Sequence, residues 1–561
     1  MNSISKERLA TLVAEYKAKK AKEAEEHKVP SVQSTVTELI HKLSPEDNKY
    51  HAIDKYGNPI TLNDKQKRAV DLANQGESFC LIGPAGTGKT TTQFTVVQNK
   101  IHSGDAGILS AGGHKHLVSG TPGIVVCAYT RRAVSNIRRN MPADMQANCI
   151  TIHKLLEYEP VFYEVQNEFG ESKTKMKFEP ARGRHNPLPS SIKVIIFEET
   201  SMLGVDLYKE VIDACPHDVQ FIFLGDIQQL PPIFGPAILG FKLLSLPTVE
   251  LTEVYRQALE SPIISLAHRI LSGVPIKEEE FSQWKRPNQL TIHPWKKKIA
   301  PEPALNTVAQ FFIKAEKEKY YSPEEDMILI PFNKSFGTDE LNLKIANHLA
   351  KKKDTLVYQV IAGFNKRHFH VGEKVLFDKE EAEILSIEKN NSYFGAAYLP
   401  ASKTLDYWGI EHESKSSTKS SEEEDLDFLL QQVANSSDED RVHQCSHVIK
   451  LQMRDSDKEI SISTAGEVNA LLYGYALTVH KSQGSEWRRV FFVLHQSHAT
   501  MIQRELLYTG VTRAKEELYI ICEPETFVKG IQSQRVKGDT LEEKAEYFKG
   551  KLDSGFDLGG Y

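Results

Sequence analysis

The first chemistry to read off this chain lies in Gly83-Pro84-Ala85-Gly86-Thr87-Gly88-Lys89-Thr90. These residues follow the apolar run Phe79–Ile82 and have the spacing G-x-x-x-x-G-K-T. Gly86 and Gly88 let the backbone turn tightly, so that its N–H groups converge on phosphate oxygens. Lys89 brings a positive charge to the β- and γ-phosphates, and the Thr90 hydroxyl is a hard oxygen ligand for Mg2+. A helix is expected from Thr91 through Asn99, its positive end aimed at the same phosphates. The ligand these residue types ask for is a nucleoside triphosphate, ATP with Mg2+.

Further candidates sit at the ends of apolar runs. Ser191–Phe197 reads as a buried strand ending in Glu198-Glu199-Thr200-Ser201. One carboxylate there can hold Mg2+ through its water shell, and the other can polarise an attacking water. Phe221–Leu224 leads into Gly225-Asp-Ile-Gln-Gln229-Leu-Pro231-Pro232, where Gln229 can sense the γ-phosphate. Arg256, within Leu251-Thr-Glu-Val-Tyr-Arg256-Gln257, can meet charge that develops in a transition state. Gln66 precedes the loop, and its side-chain amide can pair with both the donor and the acceptor edge of adenine.

A second set suits a nucleic-acid backbone. Gly123–Thr130 is another apolar strand pattern, and it runs into Arg131 and Arg132. A threonine and two arginines at the end of a parallel strand lie where α/β sheets bind ligands. Thr151-Ile-His153-Lys154 repeats the theme. Val161–Phe178 alternates through a turn-like centre, with Lys173, Lys175 and Lys177 in alternate positions, and reads as a β-hairpin with one basic face and Phe169 near its tip.

The P-loop, EETS, GDIQQLPP and LTEVYRQ segments, in this order, resemble the motifs of superfamily 1 helicases. Within that group they most resemble the RecD-like and phage Dda-like helicases of the 1B branch. Leu477-Thr478-Val-His480-Lys481-Ser482-Gln483-Gly484-Ser-Glu486-Trp487 and Leu506-Leu-Tyr508-Thr-Gly-Val-Thr512-Arg513-Ala514 match two further motifs. The resemblance implies that Glu198 serves the metal, Glu199 is the catalytic base and Gln229 the sensor. Arg256 and Arg513 would reach the γ-phosphate from opposite sides of a cleft, with Gly484 and Glu486 also on the nucleotide. Thr130, His153, Thr478 and His480 match strand-contacting positions; Lys481, Pro231 and Pro232 belong with them. The hairpin falls where the family inserts a separating pin. Glu198 departs from the family, which usually has aspartate there. The implied activity is ATP-dependent DNA unwinding with 5′→3′ movement on single-stranded DNA, in replication, recombination or repair. An RNA helicase and a nucleotide-gated binding switch remain open alternatives.

These residues need a scaffold to position them. The expected fold is α/β: two RecA-like P-loop NTPase domains with a β-hairpin pin insertion and a small SH3-like β-barrel insertion. The first domain is placed at 46–258, with the pin at about 157–190. The second takes 259–370 and 468–534. The barrel takes 371–467 and contains a disordered acidic segment, 411–440. Residues 1–45 read as a charged helical appendage, and 535–561 as a charged helix with a glycine-rich tail.

The net charge is −6, yet residues 411–440 carry ten carboxylates and two lysines; setting aside that −8 leaves +2 for the rest. Basic patches are therefore compatible with an acidic protein. Six cysteines without a C-x-x-C pair point to a reducing compartment. His443-Gln-Cys-Ser-His447 lacks a second Cys/His pair at zinc spacing. No apolar run reaches the ~20 residues of a membrane helix, and no signal peptide opens the chain. A soluble cytoplasmic monomer is expected. Its partners would be single-stranded DNA and duplex junctions, with a replication or single-strand-binding protein engaging one terminus.

Overall fold

The computed structural model describes residues 49–556 except 54–58, 103–122, 142, 167–171, 217, 233–234, 255–259, 278–279, 281–288, 295–298, 335, 364, 378–379, 392, 394–443 and 455–457. The expectations for 1–45 and 411–440, and for Phe169 and Arg256, fall outside the described residues.

Two parallel sheets organise the chain. The first has six strands in the order Thr248–Glu250, Phe79–Ile82, Gln220–Gly225, Ile192–Phe197, Gly123–Ala128, Cys149–Thr151. The second has five, in the order Leu290–Pro294, Ala514–Cys522, Trp487–Leu494, Met327–Ile330, Ala476–Thr478. Strands of a parallel sheet covered by helices are buried on both faces and so read as continuous apolar runs. Phe79–Ile82 and Met327–Ile330 are buried at every position. Each sheet has a separate apolar cluster on each face. This is a mixed α/β fold with parallel sheets, consistent with RecA-like domains.

An antiparallel sheet interrupts the second unit. It runs Asn365–His370, Val357–Ala362, Gln444–Met453, Glu380–Lys389, Lys374–Phe377, Leu472–Tyr473, with Glu459–Thr464 paired onto Gln444–Met453. It begins upstream of residue 371, where the sequence placed the start of the insertion. The reason is a hairpin: Val357–Ala362 turns through Gly363 (φ 59°) and pairs back on Asn365–His370. The polar run Asn365-Lys-Arg-His hides that second strand from a hydrophobic-pattern reading.

Tyr158–Gln166 and Ser172–Pro180 form a separate antiparallel pair, Val161 opposite Lys177 and Val165 opposite Lys173. Its base is fixed by the ion pair of Arg182 with Glu157 at 2.9 Å and by the Tyr158 hydroxyl on Glu210.

The chain's end, expected to hold a charged helix, has the helix Leu541–Asp553, and it crosses from one unit to the other. The Glu505 carboxylate accepts the Arg535 and Val536 N–H groups at 3.0 Å, and Arg504 pairs with Asp539. The helix Leu541–Asp553 then packs on Ile238–Lys242 of the first unit. The ring of Phe548 occupies the space a Cβ on Gly240 would need, and Phe556 stacks on Phe241 at 5.3 Å.

Candidate nucleotide site and its surroundings

The P-loop joins the Phe79–Ile82 strand to the helix Lys89–His102. Gly86 and Gly88 have φ of 81° and 83°, a left-handed region that side chains with a Cβ rarely adopt. The Lys89 ammonium donates to the Gly83 carbonyl and to the Pro84 carbonyl (3.0 Å), curling over the loop. Thr87 is buried and donates to the Pro84 carbonyl at 2.9 Å, while Thr90 is exposed and Thr91 half-buried at the helix start.

Glu198 and Glu199 end the neighbouring Ile192–Phe197 strand but one. Burial raises the Glu198 carboxyl to about 7, the Glu199 charge adds to the rise, and Lys89 opposes it. Burial also raises Glu199, against Arg513 and Lys89 and with Asp226 and Glu486. Lys89 thus lies within electrostatic reach of both carboxylates, and Arg513 within reach of Glu199. Glu199 has φ 52° and ψ 42°, left-handed although it carries a side chain. Strained backbone of this kind collects at functional sites.

Arg513 comes from the second unit and is buried. Its guanidinium donates to the Thr509 carbonyl at 3.0 Å, the Ser485 carbonyl at 3.1 Å and the Thr512 hydroxyl at 3.2 Å. Gln229 is buried, and its Oε1 has no hydrogen-bond partner among the described residues. Glu486 is exposed and pairs with Lys515 at 3.5 Å. Gly484 faces the first unit: its carbonyl accepts the Asn136 amide at 3.1 Å, and a Cβ on it would meet the Thr130 hydroxyl at 2.9 Å.

Gln66 is committed elsewhere in part. It is the third residue of a capping box, its Oε1 accepting the Asn63 N–H at 3.0 Å.

The nucleic-acid candidates divide. Lys154, Arg131, Arg138 and Lys458 form one basic neighbourhood spanning the first unit and the antiparallel sheet. His153 lies edge-on to Tyr129 and Tyr158, and Lys481 is exposed. Thr130 and Thr478 are buried, the first capping a helix through the Ala133 N–H at 3.1 Å, the second accepting the Lys481 N–H at 3.3 Å. Pro231 is buried and Pro232 half-buried. Arg132 points into the protein. Its guanidinium pairs with Glu381 at 2.7 Å and lies 4.4 Å over the Trp487 ring.

Sequence reasoning missed Tyr508, whose hydroxyl lies against both the P-loop and Asp226. Its signal was only its place in a recognised motif.

The AAA domain family matches residues 66–235, and the UvrD-like helicase C-terminal domain family matches residues 473–521. The ATP-dependent RecD2 DNA helicase of Deinococcus radiodurans is 27% identical over 479 residues, 82% of this chain and 48% of that protein. The ATP-dependent DNA helicase dda of Enterobacteria phage T4 is 23% identical over 492 residues, 82% of this chain and 99% of that protein. The two domain families and these relatives together support a superfamily 1B helicase of RecD-like and Dda-like type. The chain spans about half the length of its RecD2 relative and nearly all of Dda. Pif1 of Bacteroides bound to single-stranded DNA aligns over 88% of this chain and 98% of that one, with 13% identity and a TM-score of 0.44, too slight a likeness to carry an argument.

Proposed function

We propose that the protein is an ATP-dependent DNA helicase. It hydrolyses ATP between its two parallel-sheet units, moves 5′→3′ along single-stranded DNA and separates the duplex ahead. The observation that carries this reading is Glu199. A carboxylate held at a strand end beside the P-loop, within electrostatic reach of an arginine from the other unit, suits turnover; binding alone needs no base.

The roles divide by chemistry. Lys89, the loop amides and Arg513 stabilise phosphate charge and Gln229 senses the γ-phosphate; the resemblance gives Arg256 a role beside Arg513. Gln66 is the candidate for reading adenine.

The residues present fit Mg2+. Thr90 and Glu198 offer hard oxygens, and no group of three or more His, Cys, Asp or Glu able to hold a metal occurs among the described residues. The ion would come with the phosphates, as Mg2+ commonly does. When bound it neutralises charge on the β- and γ-oxygens; Thr90 would hold it directly and Glu198 through water.

The basic neighbourhood around Lys154 and Arg131 would grip the strand backbone, a contact that weakens with salt. Contact by Arg132 requires its pair with Glu381 to open. The Tyr158–Pro180 hairpin acts as the pin, and the antiparallel sheet is the inserted SH3-like barrel. Truncating residues 165–173 should abolish unwinding while sparing DNA-stimulated hydrolysis.

The test is steady-state ATP hydrolysis with and without a single-stranded DNA oligomer, wild type beside Glu199→Gln. Stimulation that the variant loses supports the motor. Stimulation by RNA alone would move the substrate to RNA, and silence with both would leave a binding switch.

A further inference from the structure

Tyr508 lies on the helix Arg504–Val511 of the second unit, five residues before Arg513, and is fully buried. Its hydroxyl accepts the Ala85 N–H of the P-loop at 2.8 Å and donates to Asp226 Oδ2 at 2.6 Å. A backbone N–H only donates, so the hydroxyl gives a lone pair to Ala85 and its single hydrogen to Asp226. Asp226 Oδ1 accepts the Gln228 N–H at 2.9 Å. Further along, Leu230 donates its N–H to the Thr509 hydroxyl at 3.0 Å, and its carbonyl accepts from Gln483 Nε2 at 2.6 Å. The second unit therefore holds both ends of the segment from Asp226 to Leu230. Gln229 lies inside that span.

In a P-loop the lysine reaches the β- and γ-phosphates. Lys89 curls onto the Gly83 and Pro84 carbonyls, so the adjoining Ala85 amide lies on the side of the loop that faces the γ-phosphate. We propose that Tyr508 is a positioning residue that couples the γ-phosphate end of the loop to the segment carrying Gln229; this rests on the nucleotide site of the proposed function. A phosphate that draws on the Ala85 amide competes with the Tyr508 hydroxyl for that one hydrogen, and its loss also weakens the hydroxyl's donation to Asp226, because accepted and donated bonds reinforce each other. The same helix leads directly into Arg513, so the change at Ala85 reaches the sensor and the arginine together. Phenylalanine at 508 would keep the ring and lose the relay.

The experiment is equilibrium binding of ADP and of a non-hydrolysable ATP analogue, each with Mg2+, to the full chain. Tyr508→Phe should hold ADP affinity within about twofold and gain about fivefold in preference for the analogue, the size of one net hydrogen bond no longer competing for the Ala85 amide. Asp226→Asn, which weakens the hydroxyl as an acceptor, should shift the ratio the same way by no more, and the double variant should not exceed the larger single gain, because both act through one bond. If Tyr508→Phe unfolds early, the Asp226→Asn ratio carries the test. An unchanged or lowered ratio, or gains that multiply in the double variant, would overturn the proposal. The readout needs neither DNA nor turnover, so a wild type that binds both nucleotides but hydrolyses none would sink the motor and leave this result standing.

Discussion

Arg132 and Glu381 form a 2.7 Å ion pair between the first parallel-sheet unit and the antiparallel sheet. Glu381 also accepts the Trp487 indole N–H and faces Lys374 at 3.6 Å and Arg454 at 3.8 Å. One carboxylate thus gathers side chains from all three parts. Burial alone would raise it, but Lys374 and Arg132 overcome that and hold it at about 2.

Removing a buried partner strands the opposite charges. Glu381→Ala should therefore cost about 3 kcal/mol in urea unfolding. Because the folded carboxyl lies below its unfolded value, the stability that wild-type Glu381 supplies is present above about pH 4 and lost as pH falls toward 2. The gap between wild type and variant should close over that window.

Glu373 gives the opposite sign. Burial raises its carboxyl to about 8, against the His370 N–H that donates to it at 3.1 Å. The folded state keeps a proton that the unfolded chain releases near pH 4.3, so stability falls as pH climbs from there to about 8. Glu373→Gln keeps the acceptor and removes the charge. Its melting temperature should exceed that of wild type at pH 8.5, and the advantage should vanish by pH 4.5.

At the nucleotide site, Glu199→Gln should lower kcat at least ~100-fold while leaving nucleotide affinity within about twofold, the pattern of a base lost from turnover alone. Lys89→Ala should instead abolish measurable nucleotide binding in a titration with a fluorescent ADP.

Phe548→Ala empties the pocket against Gly240 and Phe241. Large-to-small changes of this kind cost about 3 kcal/mol, and guanidinium unfolding of the full chain should register the loss.

How legible all this was depended on range. Phe79–Ile82 and Ile192–Phe197 announce themselves because strands buried on both faces are almost wholly apolar, Lys193 near the start of the second being the exception, and the P-loop because few residue types fit its turns. The Asn365–His370 strand stayed hidden because its polar side chains lie at an exposed sheet edge, where pattern is weak. Arg132 read as a phosphate ligand because its neighbours in sequence are basic, whereas its charge is answered by a carboxylate 249 positions away. Tyr508 and Ala85, 423 positions apart, belong to the same class: only the folded chain sets them side by side.

The C-terminal crossing makes the two units members of a closed circuit. Chain links them once between Thr248–Glu250 and Leu290–Pro294, and again between Ser533 and Leu541–Asp553. Parting the two units widely would first have to peel Phe548 off Gly240, so the length of the peptide between Ser533 and Leu541 bounds how far they can separate while that contact holds. In mechanical terms the helix is a travel stop, and severing the chain after Ser533 would turn a hinge of fixed throw into a loose joint.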